Sequence, residues 1–232
     1  MKNVTCAVLA CLLAVPALAQ QAPVSSIRVT GDAQVTAKPD RVQIDIGVTT
    51  RADKSQAAAT QNARQVDAVL AAVKQAAGPT AVLRTVNYSL SPAYKYPNGQ
   101  EPVIVGYSAA NVVQVTLDDL TKISNVIDAA TQSGANQVQG IQFTLRDQDS
   151  VRADALRKAA ARARADAEVL AAALGLKIVR VLFVEENGGQ RAPLMRTMSM
   201  APAAAKVATP VEAGTLEVSA DIVLTVEVAP AR

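Results

Sequence analysis

The spacing of apolar residues along this chain changes repeatedly between two periods, and this pattern constrains the fold more than any single motif. A period of two is typical of a strand with one buried face, and a period of about 3.6 is typical of a helix with one buried stripe. The strand pattern is clearest at three sets of residues: Val42, Ile44, Ile46 and Val48; Ile141, Phe143 and Leu145; and Ile222, Leu224, Val226 and Val228. Polar residues alternate with each set, so the sequence predicts a sheet with one apolar face and one solvated face.

Three longer segments carry the helical period and are predicted to cover the apolar face of the sheet. Their apolar stripes consist of Ala59, Ala63, Val66, Leu70, Val73 and Ala77; Leu120, Ile123, Ile127 and Ala130; and Leu156, Ala160, Ala163, Ala167, Leu170 and Leu174. Gly78, Gly134 and Gly175 follow the three stripes, and glycine is common just past a helix C-terminus. Because the stripes are rich in alanine, we expect the helices to lie close to the sheet.

The order of these segments predicts the fold class. Strand, helix and strand recur along the chain, which favours right-handed crossovers with the helices on a common side wherever the strands run parallel. The pair Asn98-Gly99 predicts a tight hairpin between strands that end near Tyr96 and begin near Val103, because both turn residues tolerate positive φ angles. Residues 188–213 are rich in Gly, Pro, Ala and Met and are predicted to be a flexible insertion. We therefore predict an α/β fold of the α+β kind, a sandwich with a mixed, partly antiparallel sheet and three helices packed on one face.

Residues 1–19 are predicted to be a signal peptide. They contain the basic Lys2, an apolar run, the helix-breaking Pro16 and small residues at 17 and 19 where signal peptidase cleaves. The alternative is lipoprotein processing before Cys11, but the apolar stretch in front of that cysteine is short for this purpose. We expect an exported protein.

The mature chain would contain neither histidine nor cysteine. The histidine count is zero, and the two cysteines, Cys6 and Cys11, both lie in the predicted leader. Imidazole and thiolate groups are the usual general bases, soft metal ligands and activated nucleophiles near neutral pH. Their absence excludes most familiar active sites and any disulfide framework, so we predict a protein that is not an enzyme and has no cofactor.

Size and charge add three expectations. Cleavage leaves about 210 residues, enough for one domain or two coupled lobes with a substantial core. The 23 basic residues nearly balance the 20 acidic ones, so the charge does not indicate a nucleic-acid partner. After the leader, no apolar run approaches the roughly eighteen residues of a spanning helix, so we predict no transmembrane segment.

Two motifs resemble catalytic signatures and are interpreted as structural. Ser108 stands in a Gly- and Ala-flanked segment like a nucleophile elbow, but the chain offers neither a histidine base nor a Ser-x-x-Lys spacing, so we interpret it as a strand or turn serine. Gly188-Gly189-Gln190 matches the tripeptide of peptide-release factors. An exported chain does not meet the ribosomal substrate, so we interpret the match as coincidence.

Paired carboxylates are the remaining acid–base candidates. Glu185 and Glu186 are neighbours on a predicted strand, where adjacent side chains point to opposite faces, so they are not expected to converge on one substrate bond. Asp118 and Asp119 precede a predicted helix, where carboxylates satisfy free backbone N–H groups and the helix dipole. We predict capping rather than catalysis, and an all-carboxylate hydrolase stays open as an alternative hypothesis.

The third predicted helix carries a run of basic residues: Arg152, Arg157, Lys158, Arg162 and Arg164. Asp154, Asp166 and Glu168 interrupt this run at spacings of four from basic partners, which is typical of a solvated, ion-paired face. Aromatic residues that stack on bases are scarce in the chain. We predict no nucleic-acid binding.

Met195, Met198 and Met200 lie close together in the predicted insertion. Thioethers are soft ligands for Cu(I) and are targets of oxidants, so a metal-handling role is one hypothesis. The alternative is adaptable apolar packing against the body of the protein or a neighbouring subunit. Three methionines make a weak motif, so no metal site is predicted.

An ordered series of short motifs resembles the SIMPL-domain family, a family of unknown function. The series consists of Gly31-Asp32-Ala33, Lys38-Pro39-Asp40, the tyrosines around Pro92 between Thr85 and Tyr96, Gly106-Tyr107-Ser108-Ala109, Gly134-Ala135-Asn136, Ile141-Gln142-Phe143 and the helix end from Ala171 to Gly175. The resemblance covers nearly the whole mature chain and implies one SIMPL-like domain over residues 24–230. It brings no catalytic residues, since the family has no agreed active site.

The resemblance also implies a cellular setting. Bacterial relatives are exported to the periplasm or associate with the outer membrane, some are linked to defence against oxidative stress, and some resemble ring-forming homo-oligomers. We therefore predict a non-enzymatic envelope protein of the periplasm that self-associates, with a role in oxidative or envelope stress and an envelope protein as a further partner. The contacts between subunits are expected at sheet edges or on the polar sheet face. A metal-handling protein and a carboxylate-dependent hydrolase are the alternatives.

Overall fold

The computed structural model of the chain describes residues 25–98, 101–187, 194–196 and 213–231. Its strands are β1 (Ser26–Ala37), β2 (Arg41–Ala52), β3 (Val82–Lys95), β4 (Val103–Leu117), β5 (Gln137–Thr144), β6 (Leu176–Glu186), β7 (Leu194–Arg196) and β8 (Thr215–Pro230). Its helices are α1 (Ser55–Ala77), α2 (Ile123–Gln132), which follows a short 3-10 turn at Leu120–Lys122, and α3 (Gln148–Ala173). The predicted signal peptide lies outside the described residues, as does most of the predicted insertion at 188–213.

The strands form two four-stranded sheets. One has the order β3-β4-β2-β5, and we call this sheet with α1 and α2 the first lobe. The other has the order β1-β8-β6, and β7 pairs with β8 beyond the end of β6. We call this sheet with α3 the second lobe. The α+β class predicted from the sequence is confirmed.

The arrangement within that class differs in two ways from the expectation of one mixed sheet covered by three helices. Every pairing among the described strands is antiparallel. The first two crossovers join strands of the same direction, but an antiparallel strand lies between them: β4 between β2 and β3, and β2 between β4 and β5. The helices are divided between the sheets, because the crossover through α3 leads from the first lobe into the second.

The first lobe has a core of large aliphatic side chains. The predicted inward residues Val42, Ile44, Ile46 and Val48 of β2 are all buried, and α1 and α2 cover them. In α1 the buried stripe includes Val66, Val73 and Ala77 as predicted, but its first half is Ala58 and Asn62 rather than Ala59 and Ala63. Asn62 turns inward because its amide donates to the carbonyl oxygens of Val48, at 2.9 Å, and Ala109, at 3.1 Å.

The second lobe has a core in which the helix contributes mainly alanine. The buried residues of α3 are Ala155, Ala159, Ala163, Ala167 and Ala171. Leu170 and Leu174, predicted to face the sheet, are instead 45% and 66% exposed. The reason lies in β1, where a Cβ built on Gly31 would stand 2.1 Å from the carbonyl oxygen of Ala159. The helix therefore rests on β1 through its smallest side chains; Leu170 and Leu174 are turned away from the sheet, while Leu156 packs partly against the core as predicted.

The two lobes meet at a small apolar cluster. Leu145, at the end of β5, packs with Leu216 and Val218 of β8, and Ala37 and Val151 complete the cluster. Each lobe thus has its own core, and the junction is a third, smaller one.

Candidate interaction surfaces

Strand β6 exposes apolar side chains on both of its faces. The exposed residues are Val179, Val181, Leu182, Phe183 and Val184. The strand pairs with β8 along one side only among the described residues. Helix α3 lies mainly against β1 and β8, since its alanine stripe is seated on Gly31, so little of the helix covers β6. The outer strand of the second lobe is therefore an apolar surface that the described part of the chain leaves uncovered.

A groove of about 560 Å³ lies between α3 and β6. Ile222, Leu224 and Val226 of β8 line it, together with Ile178, Val179, Val181 and Val184 of β6 and Ala160 of α3. Around this apolar lining, Arg164 pairs with Glu168 at 3.0 Å, and Arg180 pairs with Glu227 at 2.6 Å. The groove thus combines an apolar interior with charges that are already paired, a combination typical of a binding surface with a polar rim.

A second apolar surface is the far end of the β3–β4 hairpin. Strand β2 pairs with β4 only from Tyr107 to Leu117, so Val103–Gly106 pair within the described residues only with Ala93–Lys95 of β3. We call residues 93–98 and 101–106 the arm. Its exposed apolar side chains are Tyr94, Tyr96, Val103, Ile104 and Val105. The far end of the hairpin is therefore a two-stranded ribbon with exposed apolar side chains that no described element covers.

Three of the six aromatic residues lie on these two surfaces: Tyr94 and Tyr96 on the arm, and Phe183 on β6. The chain has four tyrosines, two phenylalanines and no tryptophan. All four tyrosines lie on the β3–β4 hairpin, Tyr96 is 74% exposed, and Phe183 of β6 is 55% exposed. Phe143 alone is in a core. Aromatic residues are enriched at protein interfaces, so their placement here marks the hairpin and β6 as interaction surfaces.

Three of the four carboxylates in the two pairs, Asp118, Asp119 and Glu186, make structural contacts. Asp119 caps the 3-10 turn, as predicted, by accepting from the backbone N–H of Thr121 at 3.1 Å. Asp118 does not cap but accepts from Arg41 Nε at 2.7 Å, and its second oxygen lies 3.3 Å from Arg146 Nε. Glu186 is paired with Arg152 of α3.

Two of these carboxyl groups have shifted pKa values. The hydrogen bond from Arg41, helped by the charges of Arg41 and Arg146, lowers the pKa of Asp118 against the opposing effect of desolvation. The hydrogen bonds from Thr121 lower the pKa of Asp119. Both shifts favour the ionised form, which is the opposite of what a general acid needs near neutral pH.

The other candidates from the sequence fall at separate places in the fold. Ser108 lies within β4, paired with Arg51 and Ser91, which agrees with its interpretation as a strand serine. On α3 the predicted pair of Arg164 with Glu168 is present, while Asp154 pairs with Arg157 rather than Lys158.

The methionine hypothesis is not tested. Met198, Met200 and the tripeptide at 188–190 lie outside the described residues, and Met195 is placed only as a member of β7, opposite Leu216. Within the described part of the chain, no three His, Cys, Asp or Glu side chains form a group that could hold a metal ion.

No helix in the described ranges is long and apolar enough to cross a membrane.

The sequence predicted contacts between subunits at sheet edges or on the polar sheet face. It did not predict that β6 exposes apolar side chains on its faces as well as a free edge. The signal was present in Val181–Val184, four consecutive apolar residues in a strand. Such runs are typical of strands buried on both faces. In an edge strand that the described residues leave uncovered, the same run forms an exposed apolar surface.

Comparison with known families gives a match over residues 27–226 to the model described as "SIMPL: Protein of unknown function (DUF541)". The chain belongs to the SIMPL family. This confirms the resemblance seen in the sequence motifs.

Curated relatives are similar over part of their length. A "26 kDa periplasmic immunogenic protein" of Brucella melitensis is 30% identical over 42% of this chain and 41% of that protein. "Uncharacterized protein YggE" of Escherichia coli K12 is 28% identical over 48% of this chain and 46% of that protein. The chain thus spans about half the length of the curated relatives it matches. A solved structure described as "The crystal structure of AtUAH in complex with glyoxylate" aligns with a TM-score of 0.27 at 13% identity, over 56% of this chain and 34% of that one, which is too little similarity to support an argument.

Proposed function

We propose that this chain is an exported, non-enzymatic protein of the periplasm that functions through self-association over its exposed apolar surfaces. The Brucella relatives are named as periplasmic proteins, which supports the location. The uncovered apolar strand β6 is the single observation that carries the proposal of self-association. Monomeric proteins rarely leave large contiguous apolar patches in water, and larger ones mark binding sites.

The arrangement of polar groups supports a non-enzymatic role. The paired carboxylates weighed as acid–base candidates include Asp118, held ionised by two arginines, and Asp119, held by its capping contacts. Without histidine in the chain, the carboxylates are the acid–base candidates that the hydrolase hypothesis rests on. Structural engagement of these groups favours an interaction protein over a carboxylate-dependent hydrolase.

The measurement that tests self-association is multi-angle light scattering of the exported, processed protein at micromolar concentration. We expect a mass of at least two chains. A Val181→Asp variant, which places a charge on the uncovered face of β6, is expected to reduce the mass to one chain. Ala71→Asp, on the exposed side of α1, is the matched control and is expected to leave the assembly intact. A wild-type protein that is monomeric throughout this range contradicts the proposal.

We further propose that the assembled form protects the envelope during oxidative stress and associates with the outer membrane. The absence of thiols from the predicted mature chain supports this role, since such a chain lacks the residues most readily oxidised by peroxide. A deletion strain complemented with wild type or with Val181→Asp tests it. We expect peroxide survival and outer-membrane fractionation to be restored only by the wild type. Equal restoration by both would separate the role from assembly.

A further inference from the structure

We propose that the first lobe carries a binding cleft for an acidic oligosaccharide, a chain of sugars that bear carboxylate groups. The cleft lies between α1 and the segment that joins α2 to β5. It is at the end of β2 opposite the junction of the two lobes. The inference goes beyond the proposed self-association, because the cleft and the strand β6 belong to different lobes.

The cleft consists of two compartments that are joined side by side. Their volumes are about 710 and 430 Å³, and Gln61 and Gln65 of α1 line both of them. The larger compartment follows α1 from Gln56 to Ala68, which is roughly 18 Å along the helix. The smaller one opens beside the last residues of β2 and the first residue of β5. The cleft is therefore long enough for a chain of several units rather than a single small ion.

The charges that line the cleft are all positive. Lys54 and Arg64 line the larger compartment and Arg51 the smaller one, and no aspartate or glutamate of the described chain lines either. The three cations are exposed and form no ion pair with a described residue, whereas both arginines at the groove of the second lobe have glutamate partners. Cations of one sign on a concave surface attract anions, and arginine binds carboxylates through two parallel hydrogen bonds. The charge of the cleft thus fits an acidic ligand.

The side chain of Gln65 indicates that the ligand also carries hydroxyl groups. Its amide nitrogen donates to the carbonyl oxygen of Gly134 at 2.8 Å, so its amide oxygen is the end left to accept a hydrogen bond. An ionised carboxylate has no proton to donate, whereas a sugar hydroxyl both donates and accepts. Gln61 and Thr60 line the same compartment with groups that can do both. An anion that bears hydroxyl groups matches this lining better than a bare anion.

The wall of the cleft opposite α1 is fixed by hydrogen bonds within the protein. Gly134 has a φ of +110°, and a Cβ on it would stand 2.4 Å from the amide nitrogen of Gln65, so glycine leaves the space that this amide occupies. The side chain of Asn136 accepts from the backbone N–H of Thr49 at 2.9 Å and donates to the carbonyl oxygen of Thr49 at 2.7 Å. None of these bonds uses a cation of the cleft. The site is therefore formed in advance, with its cations left for a ligand.

The lining disfavours apolar ligands and peptides. Within the described ranges, only Ala57 and Ala68 bring wholly apolar side chains to the cleft, so it lacks the interior that apolar ligands need. Peptides dock through side-chain pockets or by pairing with a free strand edge, but β2 is already paired on both sides. No aromatic ring of the described residues lines the cleft, so recognition of a sugar chain here depends on charge and hydrogen bonds.

The test is fluorescence anisotropy of end-labelled tetragalacturonate titrated with the processed protein. We expect binding that unlabelled tetragalacturonate reverses and that maltotetraose, a neutral chain of the same number of sugars, does not. Raising the salt from roughly 20 to 200 mM is expected to weaken binding several-fold, because exposed charges are screened. An anisotropy that does not change at protein concentrations up to about 1 mM, or equal competition by maltotetraose, overturns the proposal.

Substitutions of the cations locate the site. Arg51→Gln and Arg64→Gln remove one charge from each compartment, and each is expected to weaken binding about threefold, and the two together about tenfold. Lys74→Gln is the matched control, since it removes the same charge ten residues, or roughly 15 Å, further along α1, and a change of less than about twofold is expected. All three side chains are exposed, so the circular dichroism is expected to stay that of the wild type. Equal weakening by Lys74→Gln would show a response to net charge and overturn the site.

Other competitors identify other ligand classes. Tetraglutamate that competes as well as tetragalacturonate would assign the cleft to acidic peptides, and tripolyphosphate that does so would assign it to phosphate anions; either result overturns the choice of a saccharide. Val181→Asp, which changes only β6, is expected to bind tetragalacturonate as tightly as the wild type does. Loss of binding in that variant would place the ligand at β6 and overturn the cleft. Because light scattering of the wild type tests self-association separately, the two proposals stand or fail independently.

Discussion

The two lobes cover the inner faces of their sheets with side chains of different size, and the difference determines how much of each inner face is covered. In the first lobe, two helices bring valine and isoleucine onto a sheet whose central strand β2 is fully covered. In the second lobe, one helix brings alanine and rests directly on β1 at Gly31. Close seating on one edge of a sheet leaves the opposite edge bare, and here that edge is β6.

This comparison shows why an exposed apolar strand need not be a defect. A larger residue at position 31 would lift α3 away from β1, and the space left would have to be filled by larger side chains on the helix. The alanine stripe and Gly31 together hold the helix to one side, so that the other side of the sheet stays open as a groove. The second lobe therefore leaves one strand of its sheet uncovered by the described residues, whereas in the first lobe α1 and α2 cover the inner face of the central strand.

The largest difference between the lobes is expected from matched truncations in their sheets. Ile44→Ala in β2 leaves an enclosed cavity, and we expect it to lower the free energy of unfolding by about 4 kcal/mol. Ile222→Ala in β8 opens into the groove, where less enclosed packing is lost, and about 2 kcal/mol is expected. Urea unfolding on the monomeric Val181→Asp background measures both.

Equal losses from the two truncations would contradict the view that the second lobe is incomplete. The same two truncations, Ile44→Ala and Ile222→Ala, are also measured in the wild-type background, where we expect the protein to assemble. If a partner fills the groove, the cost of Ile222→Ala rises toward that of Ile44→Ala. A cost that is unchanged by assembly would place the partner elsewhere.

The seating of α3 on β1 is tested by adding one methyl group. Gly31→Ala would bring Cβ within 2.6 Å of the backbone nitrogen of Ala163 and still closer to the carbonyl oxygen of Ala159, and backbone atoms cannot move aside cheaply. We expect a loss of about 3 kcal/mol. Gly140→Ala in β5 is the control, because no atom lies within 4 Å of its added Cβ, and a change within about 0.5 kcal/mol is expected. A Gly31→Ala protein as stable as the control would show that the helix stands off the strand.

Much of the local structure could be predicted from the sequence, because it depends on neighbours along the chain. Strict alternation in β2 and β8 reports a strand with one buried face, and the glycines at 78, 134 and 175 follow the helices as expected. The cap at Asp119 follows from the same local logic. These features need no knowledge of which strand pairs with which.

The remaining features depend on contacts between distant residues. On α3, alanines occupy both the predicted stripe and the observed one, so periodicity alone could not choose between Leu170 and Ala171 as the buried residue. Gly31, more than a hundred residues away, makes that choice. Division into two sheets likewise depends on strand register, and the bare face of β6 depends on where α3 is seated. The apolar run Val181–Val184 is exposed in the described structure, because α3 leaves this strand largely uncovered.

A smaller effect on the free energy of unfolding is expected from the buried amide of Asn62, which fixes the position of α1 on its sheet. Asn62→Ala removes donors to the carbonyl oxygens of Val48 and Ala109 in the core of the first lobe, and we expect a loss of about 2 kcal/mol. The neighbouring Gln61→Ala, on the exposed side of the helix, is the control and is expected to change stability by less than about 0.5 kcal/mol. Thermal unfolding of both variants measures the difference. If Asn62→Ala matched the control, the two hydrogen bonds of the Asn62 amide would contribute nothing measurable to the stability of α1 on its sheet.

The smallest effect expected is the dependence of the first lobe's stability on pH. Asp118 links the ends of three strand segments through Arg41 and Arg146, and its pKa lies below the ordinary value of 3.8, chiefly because of the hydrogen bond from Arg41. A carboxyl group with a lowered folded-state pKa stabilises the fold at pH values above its unfolded pKa, and this contribution is lost as the pH falls through the folded one.

Asp118→Asn should therefore be less stable than the wild type at pH 7 by less than about 1 kcal/mol, since the pair is partly exposed, and the gap should close under acid. Urea unfolding from pH 7 to pH 2 measures that gap, with Asp166→Asn on the exposed face of α3 as the control for removing a charge. The second lobe has no described counterpart that joins strand ends in this way, so Asp166→Asn is expected to show a smaller gap. A gap for Asp118→Asn that is constant with pH would mean that the loss comes from altered packing and not from the ionised carboxylate.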